Sequence, residues 1–248
     1  MSSSPAPSPA PSFALKFDSL GLWRAELEAQ LQDLSRFLFD HDLLDEPAAA
    51  LLDSLQSRLA RDRLVVAFVA EFSRGKSELI NAIFFADTGR RILPATPGRT
   101  TMCPVELSYD PDEPPSLRLL PIETRLASAS LAELREQPNA WADVTLNIRR
   151  PDELAEELTQ VMATKRVTME DARALGFWDE GRPEDNPPVG DDGRVEVPAW
   201  RHAIINYPHP LLKRGLVILD TPGLNAIGAE PELTVSLLPS AHATVFIL

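Results

Sequence analysis

The sequence predicts an α/β domain preceded by a pair of helices, and three observations predict it. Helical periodicity fills residues 17–59, a β-branched apolar run at Leu64–Val69 leads through a loop into a helix, and a later apolar run at Leu216–Leu219 ends at an aspartate. A strand, a loop and a helix in that order form the first unit of an α/β sheet. We therefore expect a helical unit over 13–63 and a sheet domain over 64–248.

The predicted helical unit follows a short leader. Residues 1–12 alternate Ser, Pro and Ala, a composition that cannot bury a core and predicts disorder. Between Phe17 and Phe39 the apolar residues recur at intervals of three and four, which marks one face of a helix. A second helix is expected to begin near Asp45, where acidic residues precede a first-turn proline. The two helices are predicted to pack as a hairpin.

The later elements continue the α/β pattern. Further strands are predicted at Val105–Ser108, Leu117–Leu120, Ala203–Tyr207 and Ala243–Leu248. Further helices are predicted at Glu78–Phe85, Leu131–Glu136, Pro151–Ala163 and Met169–Leu175. An insertion over about 109–200 interrupts the pattern and includes an acidic loop, Asp179–Arg194, which is expected to be mobile. Ala243–Leu248 is predicted to begin a buried strand, and no turn or helix follows it in the sequence. We therefore expect a domain that is incomplete at its C-terminus and a longer full-length protein.

Composition restricts the classes of partner and location. The chain has 248 residues, 44% hydrophobic and 25% charged, as a soluble globular protein would. The sequence has no apolar stretch of the roughly 18 residues that span a bilayer and no secretory signal, and its one cysteine, Cys103, cannot form an internal disulfide. These features favour the cytoplasm. A net charge of −13 with basic residues clustered only in pairs predicts no nucleic-acid partner.

A phosphate-binding loop is predicted directly after the strand Leu64–Val69. Its residues fit the known pattern with alanine at the first glycine position: Ala70, Glu71, Phe72, Ser73, Arg74, Gly75, Lys76 and Ser77. Backbone N–H groups of such a loop wrap a phosphate, and the following helix directs its positive N-terminus towards it. Lys76 is predicted to reach the β- and γ-phosphates, Ser77 to ligate Mg²⁺, and Gly75 to let the backbone approach the ligand.

A second motif, Asp220-Thr221-Pro222-Gly223, follows the apolar run at Leu216–Leu219. A carboxylate at the carboxyl edge of a strand lies where ligands bind in open α/β sheets. Asp220 is predicted to hold Mg²⁺ through water, and Gly223 to offer its N–H to the γ-phosphate. The same four residues also suit a plain strand-to-turn junction.

A loop rich in Gly and Thr, Pro94–Pro104, lies between the two motifs. In nucleotide switches such a loop supplies a hydroxyl to Mg²⁺ and a carbonyl to the attacking water. Thr101 is the first candidate for this role and Thr100 the second. A loop threonine with no role in chemistry is the alternative.

Taken together, the motifs resemble those of the bacterial dynamin-like GTPases over roughly Leu64 to Leu248. The resemblance rests on four stretches: Glu71-Phe72-Ser73-x-Gly75-Lys76-Ser77-x-Leu79-Ile80-Asn81-Ala82, then Leu93-Pro94, Thr100-Thr101 and Asp220-Thr221-Pro222-Gly223. It implies a P-loop GTPase-type three-layer domain on a helical stalk, hydrolysis of GTP with Mg²⁺, and nucleotide-dependent homodimerisation of GTPase domains. It also implies membrane remodelling, with a peripheral membrane location for the full-length protein. By position, Thr101 matches the switch threonine, and Ser73 a phosphate-loop serine associated with catalysis.

Some positions depart from the family's pattern. Arg74 stands where the family usually has a small residue, and it either faces solvent or supplies positive charge near the β–γ bridging oxygen. Leu224 cannot polarise water, so slow, partner-stimulated turnover is expected. The base-reading motif, Asn/Thr-Lys-x-Asp, is expected after the strand that ends at Leu248, so GTP rests on the resemblance. A P-loop ATPase and a non-hydrolysing nucleotide-dependent switch or scaffold remain alternatives.

Overall fold

The computed structural model describes residues 13–61, 63–70, 75–94, 103–181, 183, 186–222 and 238–247. The chain divides into two compact units between Arg63 and Leu64.

The first unit is a pair of helices, α1 (Phe13–Asp40) and α2 (Glu46–Arg61). The start of α2 is fixed locally, because the Asp45 carboxylate accepts the Ala48 N–H at 2.9 Å, as a residue that caps a helix does. Between the helices, the Gln56 amide donates to the Ser35 hydroxyl at 3.4 Å. Both helices expected from the apolar periodicity are therefore present. Large apolar side chains of the pair remain exposed: Leu22, Trp23, Leu34, Phe37, Phe39, Leu43, Leu51 and Leu55.

The second unit contains a seven-stranded sheet in the order β4-β3-β7-β2-β8-β1-β9. The strands are β1 (Leu64–Ala70), β2 (Val105–Ser108), β3 (Ser116–Pro121), β4 (Ala142–Thr145), β7 (Trp200–Asn206), β8 (Leu216–Asp220) and β9 (Ala243–Ile247). A separate two-stranded sheet is formed by β5 (Thr164–Val167) and β6 (Val195–Pro198). The α-helices that the structure describes in this unit are α3 (Lys76–Phe84), α4 (Leu131–Arg135), α5 (Pro151–Leu158), α6 (Met169–Ala174), α7 (Pro210–Lys213) and α8 (Leu238–Ser240). The predicted α/β fold class is confirmed.

The two strands with the longest apolar runs, β8 and β1, are neighbours inside the sheet, between β2 and the edge strand β9. β1 pairs in parallel with both β8 and β9, and every residue of β8 is buried. Strands covered on both faces are expected to read as continuous apolar runs rather than as alternating patterns. The Thr221 hydroxyl donates to the Phe68 carbonyl at 2.8 Å, and this buried hydrogen bond joins the carboxyl ends of β8 and β1.

The segment 109–200 contributes to both sheets. β3 pairs with β7, β4 continues the large sheet at its edge, and β5 with β6 lies over an apolar cluster that includes Phe177. The helix predicted over Pro151–Ala163 ends at Leu158 and continues as a 3₁₀ turn over Thr159–Met162. Within the acidic loop, the Asp179 N–H donates to Asn186 Oδ1, and Asn186 Nδ2 donates to the Asp179 carbonyl, both at 2.8 Å.

The helices that the structure describes include none long and apolar enough to cross a membrane.

Candidate functional site

The carboxyl ends of three parallel strands meet at one edge of the large sheet. Phe68 on β1 is paired with Asp220 on β8, and Ala70 on β1 is paired with Ile247 on β9. The helix α3 begins at Lys76, six residues after β1 ends. Because ligands of open α/β sheets bind outside the carboxyl ends of the strands, this edge is the candidate site.

Gly75 directly precedes α3 and is the N-cap residue of this helix. Its φ of 79° and ψ of 20° lie in the left-handed region, which glycine enters without the strain that a Cβ imposes. The Leu79 N–H donates to the Gly75 carbonyl at 3.0 Å, and among the described residues no side chain caps this helix. An α-helix presents partial positive charge and free N–H groups at this end, which suits it to an anion.

Two side chains from the first turn of α3 face the carboxylate at the end of β8. The Lys76 ammonium lies 3.7 Å from Asp220 Oδ1, and both side chains are almost fully buried, with exposed fractions of 5% and 6%. The Ser77 hydroxyl donates to Asp220 Oδ2 at 3.2 Å. Burial of a charge is costly unless an opposite charge or hydrogen bonds compensate it. The structure thus brings Lys76, Ser77 and Asp220 into one cluster.

The donor set of this cluster fits magnesium. A hydroxyl and a carboxylate are hard oxygen ligands, and Mg²⁺ is usually bound by one or two protein groups together with substrate phosphates and water. In the described ranges, no three His, Cys, Asp or Glu side chains are grouped as a protein-only metal site would need. Ser77 and Asp220 therefore suit a metal that arrives with a nucleotide.

The strand that follows the Gly/Thr-rich loop begins beside the same carboxylate. β2 runs antiparallel to β8, with Val105 paired to Asp220. Cys103, two residues earlier, is buried, and its thiol points to the Val161 carbonyl at 3.6 Å. Burial, and then the negative charge of Asp220, raise the pKa of the Cys103 thiol to about 12. The thiol therefore stays protonated and unreactive, which fits a packing role.

One residue at the site entered the sequence analysis only as part of a motif. Asn81 on α3 is buried and makes three side-chain hydrogen bonds with Ile92 and Leu93. Its spacing of four residues from Ser77 placed it on the same helix face, but the partners of its amide lie more than ten residues away in the chain.

Several predicted site residues lie outside the described residues: Glu71, Phe72, Ser73, Arg74, Thr100, Thr101 and Gly223. Their roles stay predictions. The described members lie in two places: Ala70, Asp220, Thr221 and Pro222 at or directly after the carboxyl ends of β1 and β8, and Gly75, Lys76 and Ser77 at the start of α3.

Comparisons with known proteins agree with the motifs. Residues 66–248 match the model of the dynamin family. A bacterial dynamin-like protein of Nostoc punctiforme is 30% identical over 66 residues, which cover 27% of this chain and 10% of that protein.

Two solved structures of an oligomerised bacterial dynamin pair, described as a mechanism for long-range sensing and tethering of membranes, are also similar. One has 20% identity and a TM-score of 0.37 and covers 79% of this chain and 23% of the other. The second has 13% identity and a TM-score of 0.42, with coverages of 90% and 33%. The chain thus spans a third or less of the length of each of these relatives.

Proposed function

This chain belongs to the dynamin family, and from that premise we propose that it binds GTP and hydrolyses it at the γ-phosphate. One observation carries the proposal: Lys76 and Ser77 leave the first turn of α3 and meet Asp220 in a buried cluster. A buried cation, a helix N-terminus and two oxygen ligands at one point are what a nucleoside triphosphate with Mg²⁺ requires.

Each described residue has a distinct task in this proposal. The Lys76 ammonium exchanges its contact with Asp220 for the β- and γ-phosphate oxygens, and the first N–H groups of α3 bind the same phosphates. Gly75 allows the backbone to approach them. Ser77 directly, and Asp220 through water, hold Mg²⁺, which when bound neutralises charge on the phosphate oxygens. Ala70, Thr221 and Pro222 shape the adjoining backbone.

The groups that we propose to act on water lie outside the residues that the structure describes. Thr101 offers its hydroxyl to Mg²⁺ and its carbonyl to the attacking water, with Thr100 as the second choice. Ser73 and the backbone of Glu71, Phe72 and Arg74 complete the phosphate loop, and Gly223 donates to the γ-phosphate. Because Leu224 has no polar atom to orient water, we expect slow turnover that accelerates when a partner completes the site.

The proposal extends to assembly and location. Family membership supports nucleotide-dependent homodimerisation through the GTPase unit, and membrane remodelling by the full-length protein. The net charge of −13 favours membrane contact through other parts of the protein, because anionic lipid repels an anionic surface. We place the protein in the cytoplasm, peripheral to a membrane.

The test is the substitution Lys76→Ala in the full-length protein, with Lys213→Ala as the matched control. Lys213 lies over the ring of Tyr109, on the short helix that precedes β8. Loss of a charged hydrogen bond to phosphate is expected to weaken GTP binding by about 10- to 100-fold, whereas the control binds as the wild type does. Calorimetry measures the affinity, and circular dichroism verifies that each variant is folded.

The same titrations separate the competing functions. Unchanged GTP affinity in the Lys76→Ala variant would refute the site. ATP bound as tightly as GTP would replace the proposal by an ATPase. Tight GTP binding without phosphate release in a single turnover would replace it by a non-hydrolysing switch.

A further inference from the structure

The side chain of Asn81 is bonded to a distant stretch of backbone. Its Oδ1 accepts the N–H groups of Ile92 at 3.0 Å and of Leu93 at 2.7 Å, and its Nδ2 donates to the Leu93 carbonyl at 2.8 Å. Asn81 is 7% exposed, Ile92 1% and Leu93 3%. Three short hydrogen bonds without competing water fix the position of this backbone relative to α3.

The helix that carries Asn81 also carries the phosphate-binding side chains. Ser77 and Asn81 are four residues apart on α3, so they lie one turn apart on one face. Ser77 meets Asp220, while Asn81 holds Ile92 and Leu93. One rigid helix therefore contacts both the metal ligand and the backbone that enters the Gly/Thr-rich loop.

The chain on the far side of that loop is fixed to the same site. After the loop, β2 pairs antiparallel with β8 and brings Val105 opposite Asp220. The hydrogen bonds of Asn81 therefore fix the backbone before the stretch between Pro94 and Cys103, and the pairing of β2 with β8 fixes the backbone after it.

We propose that Asn81 is a positioning residue that ties the phosphate-binding helix to the backbone from which the Thr100–Thr101 loop departs. The inference rests on the proposed function, which expects the switch threonine in the stretch of chain that follows Leu93. Without the three hydrogen bonds, Ile92 and Leu93 lose their fixed distance from Ser77. Misplacement of a reacting group by about 1 Å costs on the order of 10²-fold in rate, whereas the phosphate contacts of Lys76 and of the helix N-terminus are retained.

The matched control is Asn206→Ala. Asn206 on β7 is equally buried, accepts the Asp110 N–H at 2.8 Å and donates to the carbonyls of Asp110, Glu113 and Pro114. It is paired with Ser108, at the end of β2 opposite to Val105, and so lies at the other edge of the sheet from Asp220. Both variants lose a buried asparagine that holds a loop, but only Asn81 adjoins the proposed site.

The experiment compares GTP hydrolysis, GDP affinity and amide hydrogen exchange in the full-length wild type, Asn81→Ala and Asn206→Ala. We expect Asn81→Ala to lower kcat by about tenfold or more while the Kd for GDP changes by less than about threefold, since GDP needs only the phosphate loop. The Ile92 and Leu93 amides are expected to exchange faster in this variant alone. Asn206→Ala is expected to lower the melting temperature without changing kcat.

A second variant covers the case in which Asn81→Ala does not fold. In Asn81→Asp the carboxylate still accepts both N–H groups but faces the Leu93 carbonyl, to which it donates only when protonated. Its kcat relative to the wild type is therefore expected to rise as pH falls from about 8 to about 6, because burial raises the pKa of a carboxyl group. Circular dichroism at each pH measures the folded fraction of this variant, and a kcat corrected for that fraction separates the hydrogen bond to Leu93 from a general loss of stability.

Two results would overturn the inference. One is an Asn81→Ala variant with wild-type kcat, and the other is equal loss of kcat in Asn81→Ala and Asn206→Ala, which would indicate general loss of stability. Failure of the proposed function is distinct from both, because the wild-type protein itself would then release no phosphate from GTP, and the inference would fall with it.

Discussion

His202 lies on β7 with no exposed surface, among charged neighbours on β7 and on other elements. Burial lowers the pKa of its imidazole to about 4; Glu106 opposes this effect, and Arg135 and Arg201 add to it. Its Nε2 lies 4.0 Å from Glu106 Oε2, and neither ring nitrogen has a hydrogen-bond partner among the residues that the structure describes. The folded protein therefore holds this histidine neutral where an unfolded chain would protonate it.

This difference predicts loss of stability in mild acid. Between pH 6.5 and about 4 the unfolded chain binds a proton at His202 and the folded chain does not, so the free energy of unfolding falls as pH falls through that window. The loss is about 3 kcal/mol at most. Urea unfolding at several pH values measures it, and His202→Leu is expected to flatten the dependence. A variant with the wild-type slope would contradict this role of His202.

Arg74 has two interpretations that a rate measurement separates. It lies outside the described residues and directly precedes Gly75. If its guanidinium approaches the β–γ bridging oxygen, Arg74→Ala is expected to lower the hydrolysis rate by on the order of 10²-fold or more, with little change in nucleotide affinity. Potassium is then expected to restore part of the rate by supplying the lost charge. Equal wild-type and mutant rates in potassium and in choline buffers would assign Arg74 to solvent.

The start of α3 depends on the backbone of one glycine. A Cβ at Gly75 would meet no described atom within 4 Å, but the φ of +79° at this position strains any other residue. Gly75→Ala is therefore expected to cost about 1 kcal/mol of folding stability through strain alone, and to weaken nucleotide binding because the phosphate loop shifts. Thermal melts and GTP titrations measure the two effects.

Gly21→Ala is the control for that substitution. Gly21 lies inside α1, where φ is not positive, and a Cβ there also meets no described atom within 4 Å. Alanine has the higher helix propensity, so this variant is expected to be as stable as the wild type or more stable. If Gly75→Ala and Gly21→Ala had the same melting temperature and the same affinity for GTP, the left-handed backbone at Gly75 would not determine how α3 begins.

The elements that the sequence predicted well are those whose signal is local. β1 and β8 are continuous apolar runs, and α1 has a regular apolar period, so neighbouring residues alone identify them. β4, β5 and β6 were not predicted; each has four residues and pairs with a partner distant in the chain. Such short strands carry a weak local pattern, although β2, which is equally short, was predicted.

In the candidate site, too, local motifs predicted some residues, whereas contacts between distant parts of the chain were not predicted. Lys76, Ser77 and Asp220 follow from motifs, since the phosphate chemistry dictates their type and spacing. The hydrogen bonds of Asn81 to Ile92 and Leu93 do not, because any buried asparagine in a helix has the same local pattern. Only the folded structure, in which the chain passes α3 again at Ile92 and Leu93, shows which backbone groups the Asn81 side chain binds.

For the molecule as a whole, charge bears directly on the proposed self-association. The chain carries a net charge of −13, and bound nucleotide adds further negative charge, so two copies repel each other at long range. Salt screens such repulsion, with a Debye length of about 10 Å at 0.1 M ionic strength and about 30 Å at 0.01 M. A dimer held by short-range contacts between GTPase units should therefore strengthen as ionic strength rises.

We accordingly expect the dimer of this chain with a non-hydrolysable GTP analogue to tighten by at least about threefold when ionic strength rises from about 0.01 M to about 0.1 M. Sedimentation equilibrium measures the dissociation constant. Choline chloride is the salt of choice, because it screens charge without supplying a small cation to the phosphate site, and potassium chloride at the same strength reveals any specific contribution of potassium. A dimer that weakens with salt would indicate attraction between complementary charged patches. The absence of a dimer in either salt, with the nucleotide bound, would contradict nucleotide-dependent self-association through this part of the protein.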